Sequence, residues 1–326
     1  MEIKTLFLAA FCFLLTTSIF GQNQEKYAQL IEEASSLFES KDYLLSAEKY
    51  KAAFEQFEEQ INTRDIYNAA CAYALANDPK SSFDLLFHLA NEAQYKNYWH
   101  IATDLDLKKL HNQEGWSELM EIIRHNKNEA EGIQRNEISD LLDEIMLKDQ
   151  GGRREYRAII AVHGYEATET ERVRRQVWLS DSLNVIKVTN LLDSLGWPSL
   201  KQIGKPGSNA IFLTLQHGDM KTQEEYLPVL RKAVADGKIA AGALALLEDR
   251  LSLRQGKRQV YGTQIARDPE TGENYVSPLM EPEKVNERRV NVGLKPIEEY
   301  LVKYGIDWDT EKHKAQIKKI ESNDKN

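Results

Sequence analysis

The chain has 326 residues, of which 42% are hydrophobic and 29% charged, and its formal net charge is −9. This length allows about two domains with a sizeable core each. The composition excludes intrinsically disordered, collagen-like and polytopic membrane proteins. The negative charge argues against a nucleic-acid-binding protein, because neutralising phosphates requires a clustered cationic surface. We therefore expect a soluble globular protein of two parts.

The first residues follow the order of a secretory signal peptide. Lys4 precedes an apolar run over residues 6–15, and a short polar stretch ends at Gly21. The apolar run is too short for a stop-transfer helix. We predict a signal peptide over residues 1–21, export to the periplasm or out of the cell, and no transmembrane anchor after cleavage. The alternative is a retained N-terminal anchor.

A helical repeat is predicted over residues 22–130. When the chain is aligned on itself with a shift of 36 residues, small and large residues fall at the same places in both copies. The matched pairs are Ala34 with Ala70, Leu37 with Tyr73, Ser46 with Ser82, Tyr50 with Leu86, and Ala53 with Leu89. The pattern resembles the tetratricopeptide repeat, which implies helix-turn-helix units and a protein or peptide partner.

Two copies are few for a stable array, so the segment from Tyr95 to Arg124 is expected to supply a third, degenerate hairpin. We interpret Asp104 and Asp106 as helix-capping and first-turn carboxylates, with a cation site as the alternative. Cys71 is the only cysteine beyond the predicted signal peptide. It lies among alanines, which favours a small core residue over a reactive thiol.

A second, mostly helical domain is predicted over residues 136–305, with a charged, frayed tail over 306–326. Helical spacing from Ile138 is expected to end at Gly151-Gly152, and Thr222 with Glu225 has the spacing of a capping box. From Gln259 the apolar period changes from 3.6 to 2, which indicates a short β-hairpin. The fold class is mainly α: a helical-hairpin repeat domain plus a second mostly helical domain with a short β-hairpin.

Polar motifs are spread over this second domain. They are Asp149-Gln150 with Arg153, Gly196-Trp197-Pro198, His217 with Asp219, Asp249-Arg250, Gln259 with Tyr261-Gly262-Thr263-Gln264, and Asn286 with Arg288-Arg289. Together they resemble an uncharacterised bacterial family, a domain of unknown function found in secreted and envelope-associated proteins. The resemblance spans roughly residues 138–300, and it implies no particular activity.

His217 and Asp219 stand where an apolar helix is predicted to end. An imidazole and a carboxylate at such a position suit general acid/base chemistry, and helix capping is the alternative. A zinc site would need a third ligand, and the sequence has neither a His-Glu-x-x-His motif nor a cysteine pair. We therefore predict no metal and no cofactor.

Further polar residues complete the predicted site. For Asp249, a buried ion pair with Arg250 or with Arg288 is favoured over catalysis. Gln259, Tyr261 and Gln264 either line a ligand cleft or face solvent. Arg288 could bind a carboxylate or a phosphate. Because buried polar groups are costly unless paired, we expect one shared cleft. Its members would be His217, Asp219, Asp249, Tyr261 and Gln264, with Arg250 or Arg288 at the edge.

Two functions follow from these residues, and the sequence leaves catalysis open. The first is a secreted or periplasmic interaction protein, whose repeat holds a partner and whose second domain recognises a small polar or cell-wall ligand. The alternative is a cell-envelope hydrolase or transferase that uses His217 as general acid/base with Asp219 or Asp249. Nucleotide enzymes and α/β-hydrolases are disfavoured, because their glycine-rich motifs are absent from the sequence.

Overall fold

The computed structural model describes residues 23–268 and 271–323, so the predicted signal peptide lies outside the described residues. The chain divides into two compact units. One extends to Gly132 and includes Arg153–Ala158; the other comprises Ile133–Gly152 and the chain from Ile159 onward. Within the described ranges, no helix is both long enough and apolar enough to cross a bilayer.

The first unit is built from helices connected by short turns. Asn62 accepts hydrogen bonds from the backbone at the start of the third helix, and Asp78 does so at the start of the fourth. Such caps satisfy backbone donors that the helix itself leaves without partners. The helices are α1 (residues 23–39), α2 (Tyr43–Gln56), α3 (Thr63–Leu75), α4 (Pro79–Asn91), α5 (Tyr98–Ala102) and α6 (Trp116–Glu131).

The first two helical hairpins of this unit repeat the same contact at the 36-residue shift. The Ser46 hydroxyl of α2 donates to the Ala34 carbonyl of α1 at 2.8 Å, and the Ser82 hydroxyl of α4 donates to the Ala70 carbonyl of α3 at 2.7 Å. All four residues are completely buried. Small side chains at these places let the two helices of each hairpin approach closely enough for the hydroxyl to reach the backbone.

The turns of the two hairpins are equivalent as well. Lys41 and Asn77 both have a φ of 66°, and each stands immediately before the residue that precedes the next helix. The short helix α5 and the longer α6 pack together, and α6 also packs on α4. The first unit is therefore a set of packed helical hairpins, as the fold-class prediction states.

The second unit is mostly helical and contains one small sheet. Its largest core lies between the first five helices and includes Leu142, Val188, Ile211 and Leu247. The elements are α7 (Glu137–His163), α8 (Thr168–Leu195), α9 (Leu200–His217), α10 (Met220–Ala235), α11 (Ala241–Arg254), β1 (Ile265–Arg267), β2 (Asn274–Val276), α12 (Val285–Asn291), α13 (Ile297–Leu301) and α14 (Thr310–Asn323).

The helix α7 continues through Gly151-Gly152, so the predicted end of this helix is wrong. A Cβ atom on Gly152 would lie 3.1 Å from the Cγ2 of Val177 on α8. The absence of a side chain therefore permits close approach of the two helices. A glycine inside a helix costs only about 1 kcal/mol, which helix packing can offset.

The predicted β-hairpin is present, but it is shorter than expected. Strands β1 and β2 pair antiparallel, with Ile265 opposite Val276. Residues 259–264, which were expected to belong to the first strand, form an irregular loop instead. Helix α10 begins at Met220, earlier than the predicted capping box at Thr222. The expected frayed tail instead contains α14, where Ile317 is buried.

The equivalence of Tyr50 and Leu86 can be tested by substitution. Both side chains are completely buried, so Tyr50→Ala and Leu86→Ala should each lower the free energy of unfolding by about 2–5 kcal/mol, through lost burial and the cavity that remains. Urea denaturation followed by circular dichroism would measure this loss. Leu44→Ala is the control, because Leu44 is exposed on α2 and should cost less than about 0.5 kcal/mol. Losses as small as this at both buried positions would contradict the repeat register.

Candidate functional site

His217, the last residue of α9, contacts a carboxylate on a distant helix. Its Nδ1 lies 2.7 Å from Oδ1 of Asp149 on α7, a residue 68 positions away in sequence. Asp149 is almost completely buried, whereas the His217 side chain keeps 18% of its surface exposed. The amide of Gln150 donates to the other carboxylate oxygen of Asp149 at 2.5 Å. The imidazole is thus oriented by a carboxylate and remains open to solvent.

The end of α9 is fixed by side chains from α10 and α11. The carbonyl of Gln216 accepts from Arg250 Nη1 at 2.9 Å and from Gln223 Nε2 at 2.7 Å. Gln223 Nε2 also donates to the carbonyl of Gly218 at 3.0 Å. The last carbonyls of a helix have no partner inside the helix, so these donors satisfy them. As a result, the backbone on both sides of His217 is held in place.

The contact with Asp149 determines what the imidazole can do. A carboxylate next to Nδ1 favours the tautomer in which Nδ1 carries the proton and Nε2 carries the lone pair. In that form, Nε2 can accept a proton, accept a hydrogen bond or coordinate a metal ion. The arrangement suits acid/base chemistry or the recognition of a polar ligand.

A third residue, Asp181 of α8, joins this pair. Asp149, Asp181 and His217 each offer one ligand atom, and these atoms lie within 4.8 Å of one another. Two carboxylates and one imidazole are a donor set that could hold a divalent cation such as zinc or manganese. We refer to these three residues as the His217 centre. Asp181 offers the third ligand atom, which no sequence motif indicated.

Asp219 does not share a hydrogen bond with His217. It caps α10, accepting from the backbone N–H of Thr222 at 2.8 Å. The Thr222 hydroxyl and N–H lower the pKa of this exposed carboxyl group. His217 is therefore paired with Asp149, and not with Asp219 or Asp249 as expected. The contacts of Asp219 are those of a helix cap, the alternative that the sequence left open.

Asp249 organises the loop over residues 259–264. Its carboxylate, which has no exposed surface, accepts from the backbone N–H groups of Val260 at 2.6 Å, Tyr261 at 3.0 Å and Thr263 at 3.0 Å. The Thr263 hydroxyl donates to it as well, at 2.9 Å. Arg250, the expected ion-pair partner, donates instead to the carbonyl of Gln216.

The carbonyl groups of the same loop accept from two neighbouring arginines. Nε of Arg288 donates to the carbonyl of Val260 at 2.7 Å. Nη1 of Arg289, a completely buried residue, donates to the carbonyl of Tyr261 at 2.7 Å. Arg288 also donates to the carbonyls of Met280 and Glu281. Both guanidinium groups thus donate hydrogen bonds to backbone carbonyls, whereas the sequence indicated that Arg288 could bind an anion.

Gln259 and Gln264 complete the loop network. The Gln259 amide donates to the carbonyls of Gln264 at 3.0 Å and Ser277 at 2.8 Å, and its oxygen accepts from the Gln264 N–H at 2.9 Å. The Gln264 amide donates to the Thr263 hydroxyl at 3.0 Å. Tyr261 enters the network through its backbone, and burial raises the pKa of its phenol. The hydrogen bonds therefore separate the predicted residues. Most belong to the loop network, His217 belongs to the His217 centre, and Asp219 and Arg250 belong to neither group.

A family of unknown function, DUF6624, matches residues 139–308. The chain belongs to this family. No curated protein and no solved structure matches it. The matched residues include all three members of the His217 centre and the whole loop network, so the DUF6624 domain contains both groups.

Sequence reasoning missed two members of the His217 centre. Asp149 is part of a motif in the sequence, but we did not expect it in the site. Asp181 lies within the long helix α8, and no motif distinguishes it from other helical carboxylates. Only an estimate of which helices pack together could have identified these two residues.

The contrasting roles of Asp249 and Asp219 in the DUF6624 domain can be tested with matched substitutions. Asp249→Asn replaces an acceptor by an amide NH₂ group that faces buried donors, so it should lower the free energy of unfolding by about 3 kcal/mol. Asp219→Asn is the control, because asparagine caps a helix as well as aspartate. Urea denaturation would measure both variants. Equal stability of the two would contradict the role of Asp249 in the loop.

Proposed function

We propose that this protein is an exported interaction protein, secreted or periplasmic, in which the DUF6624 domain recognises a small polar ligand and the repeat unit holds a protein or peptide partner. The observation that carries the proposal is the His217 centre. Three helices bring an imidazole and two carboxylates together, and the imidazole is partly open to solvent. The signal-peptide pattern of residues 1–21 supports export.

The fold has little need of the His217 centre for its stability. The helices that carry it already pack through apolar residues, among them Leu142, Val188 and Leu215. Polar pairs in such surroundings contribute little net stability, because the desolvation cost offsets their attraction. Apolar side chains could not hydrogen-bond a polar ligand. Binding such a ligand through His217 therefore accounts for polar residues at the His217 centre.

The repeat unit supports the partner part of the proposal. Its small-and-large pattern and the equivalent Ser46 and Ser82 contacts favour a tetratricopeptide-like array. Arrays of this kind present extended concave surfaces for binding. We therefore assign partner binding to the first unit and ligand recognition to the second.

Ligand recognition can be tested by thermal shift on the full chain. The panel contains zinc, manganese and calcium ions, simple sugars and cell-wall fragments. A ligand that binds only the folded state raises the melting temperature. His217→Ala should remove the shift. It also takes the imidazole partner from the buried Asp149 carboxylate, so the melting temperature of the unliganded variant should fall, and the shift is measured from that lower value.

His163→Ala is the matched control, because His163 is an exposed histidine at the end of α7. It should retain the full shift. If His217→Ala also retains the shift, the ligand binds elsewhere. A large loss of stability in His217→Ala with the ligand-induced shift intact would instead assign the residue a structural role.

A second function, a cell-envelope hydrolase or transferase, is favoured by one specific observation. His217 Nδ1 lies 2.7 Å from Asp149, so Nε2 is the nitrogen that can act as a general base. Nε2 would take a proton from water or a hydroxyl group, and Asp149 would stabilise the resulting imidazolium. Asp149 here replaces the orienting carboxylates that we expected from the sequence, Asp219 and Asp249.

Hydrolysis of p-nitrophenyl acetate and p-nitrophenyl phosphate would test this second function. His217→Ala should lower kcat by about 10²- to 10⁴-fold, the usual contribution of general acid/base catalysis. Asp149→Asn should also lower kcat, whereas Asp219→Asn should not, since Asp219 only caps α10. Turnover that is unaffected by His217→Ala would rule out this mechanism.

A further inference from the structure

The repeat unit contains a cavity of about 600 Å³. This volume lies in the range of pockets that hold a small molecule or a large side chain. Aromatic and acidic residues dominate its wall. The lining residues are Ser35, Phe38, Glu39, Tyr50, Thr63, Arg64, Tyr67, Asn68, Cys71, Tyr95, His100, Asp104 and Asp106.

The aromatic part of the wall is held rigidly. The Tyr67 ring stacks on Tyr95, with centroids 6.0 Å apart, and lies 4.7 Å from the His100 ring. The Tyr67 hydroxyl donates to Asp104 Oδ2 at 2.6 Å, and the Tyr95 hydroxyl lies 2.7 Å from His100 Nδ1. The rings are therefore preorganised, and their faces are electron-rich surfaces suited to a cation.

The charge of the wall is negative. Glu39, Asp104 and Asp106 supply three carboxylates. Arg64 is the one arginine or lysine among the described lining residues; its side chain is 81% exposed and lies 3.8 Å from a carboxylate oxygen of Asp65. The Arg64 charge is thus largely directed to solvent and to Asp65.

The titrating groups inside the cavity agree with a surplus of negative charge. Burial raises the pKa of Asp106, and the neighbouring charge of Asp104 raises it further. Burial lowers the pKa of His100, which keeps the ring neutral near neutral pH. Arg154 acts electrostatically on Tyr95 and His100 but does not line the cavity. A bound cation would relieve the repulsion between the two aspartates.

We propose that this cavity binds the basic side chain, lysine or arginine, of a peptide partner. The cationic group lies at Asp104 and Asp106, and the aliphatic stem packs against Tyr67 and Tyr95. This inference rests on the proposed partner-binding role of the repeat unit and names the chemistry of the partner.

A metal ion fits this cavity less well than an organic cation. Cys71, Asp104 and Asp106 have ligand atoms within 4.8 Å of one another. Burial, however, raises the pKa of the Cys71 thiol, and a metal would need the thiolate. The cavity is also far larger than a single ion requires, and its aromatic faces offer an ion no ligand atoms. A lysine or arginine side chain would contact the aromatic part of the wall with its aliphatic stem and the acidic part with its charged end.

A selection experiment with the full chain tests the proposal. A displayed library of short peptides is selected for binding, and the enriched peptides are synthesised with capped ends. Enrichment of lysine or arginine at one position is expected, and replacing that residue with glutamine should weaken binding at least about tenfold. Asp106→Asn should weaken binding of the basic peptide by a similar factor, with folding checked by circular dichroism.

Asp84→Asn is the matched control, because Asp84 is an exposed carboxylate on α4 that pairs with Lys80 outside the cavity. It removes the same charge and should leave binding unchanged. If Asp84→Asn weakens binding as much as Asp106→Asn, general electrostatic attraction explains the result and the pocket assignment is wrong.

The remaining outcomes separate this inference from the proposed function. Enriched peptides without a basic residue would overturn the inference and leave partner binding intact. Binding of free cadaverine or agmatine without any peptide binding would overturn the peptide occupant and retain only the cation chemistry. If neither peptides nor free amines bind, the inference and the partner-binding role of the repeat unit both fail.

Discussion

The carboxylate of Asp249 has no exposed surface, and a buried charge is tolerated only when hydrogen-bond donors surround it. Here the donors come from the loop over residues 259–264, whose N–H groups converge on one side chain of α11. The loop has almost no regular structure of its own, so its path depends on this acceptor. Asp249 therefore ties α11 to the loop that leads into the small sheet.

The same loop shows how irregular backbone can be buried without a sheet. At its two ends the loop pairs with the backbone of residues 277–280. Between these ends, backbone N–H groups donate to Asp249, and the carbonyls of Val260 and Tyr261 accept from Arg288 and Arg289. Side chains thus provide partners that a neighbouring strand would otherwise supply. The Arg289 guanidinium also lies 4.8 Å from the centre of the Tyr300 ring, which ties the loop to α13. Asp249, Gln259, Arg288 and Arg289 each contribute hydrogen bonds to this loop.

Sequence periodicity predicted those features of the fold that depend on residues close together in the chain. The 36-residue shift placed Ser46 and Ser82 at equivalent positions, and apolar spacing predicted that α9 ends at His217. The alternation over residues 259–264 was misinterpreted as a strand. The N–H groups of the successive residues Val260 and Tyr261 both donate to Asp249, which the backbone of a regular strand could not do, and the sequence does not show this shared acceptor.

The pairing of His217 could not be predicted, because it depends on how helices pack. Asp219 is close in sequence but belongs to the next helix start, whereas Asp149 is 68 residues away and faces His217 across packed helices. The glycine pair after Asp149 pointed to a helix end, although Gly152 instead permits the close approach of α7 and α8. Short sequence patterns indicate where helices form, but they contain little information on which helices come into contact.

Once the loop network is accounted for, the His217 centre stands apart from the other polar groups of the DUF6624 domain. Asp249 has a structural task that no apolar residue could perform, since it satisfies backbone donors. Asp149 contacts the side chains of His217 and Gln150, and apolar replacement of a whole buried polar set is often neutral or stabilising. This contrast with Asp249 is what supports our proposal that the His217 centre recognises a ligand. Of the two paired side chains, His217 is the more exposed, at 18% against 4% for Asp149.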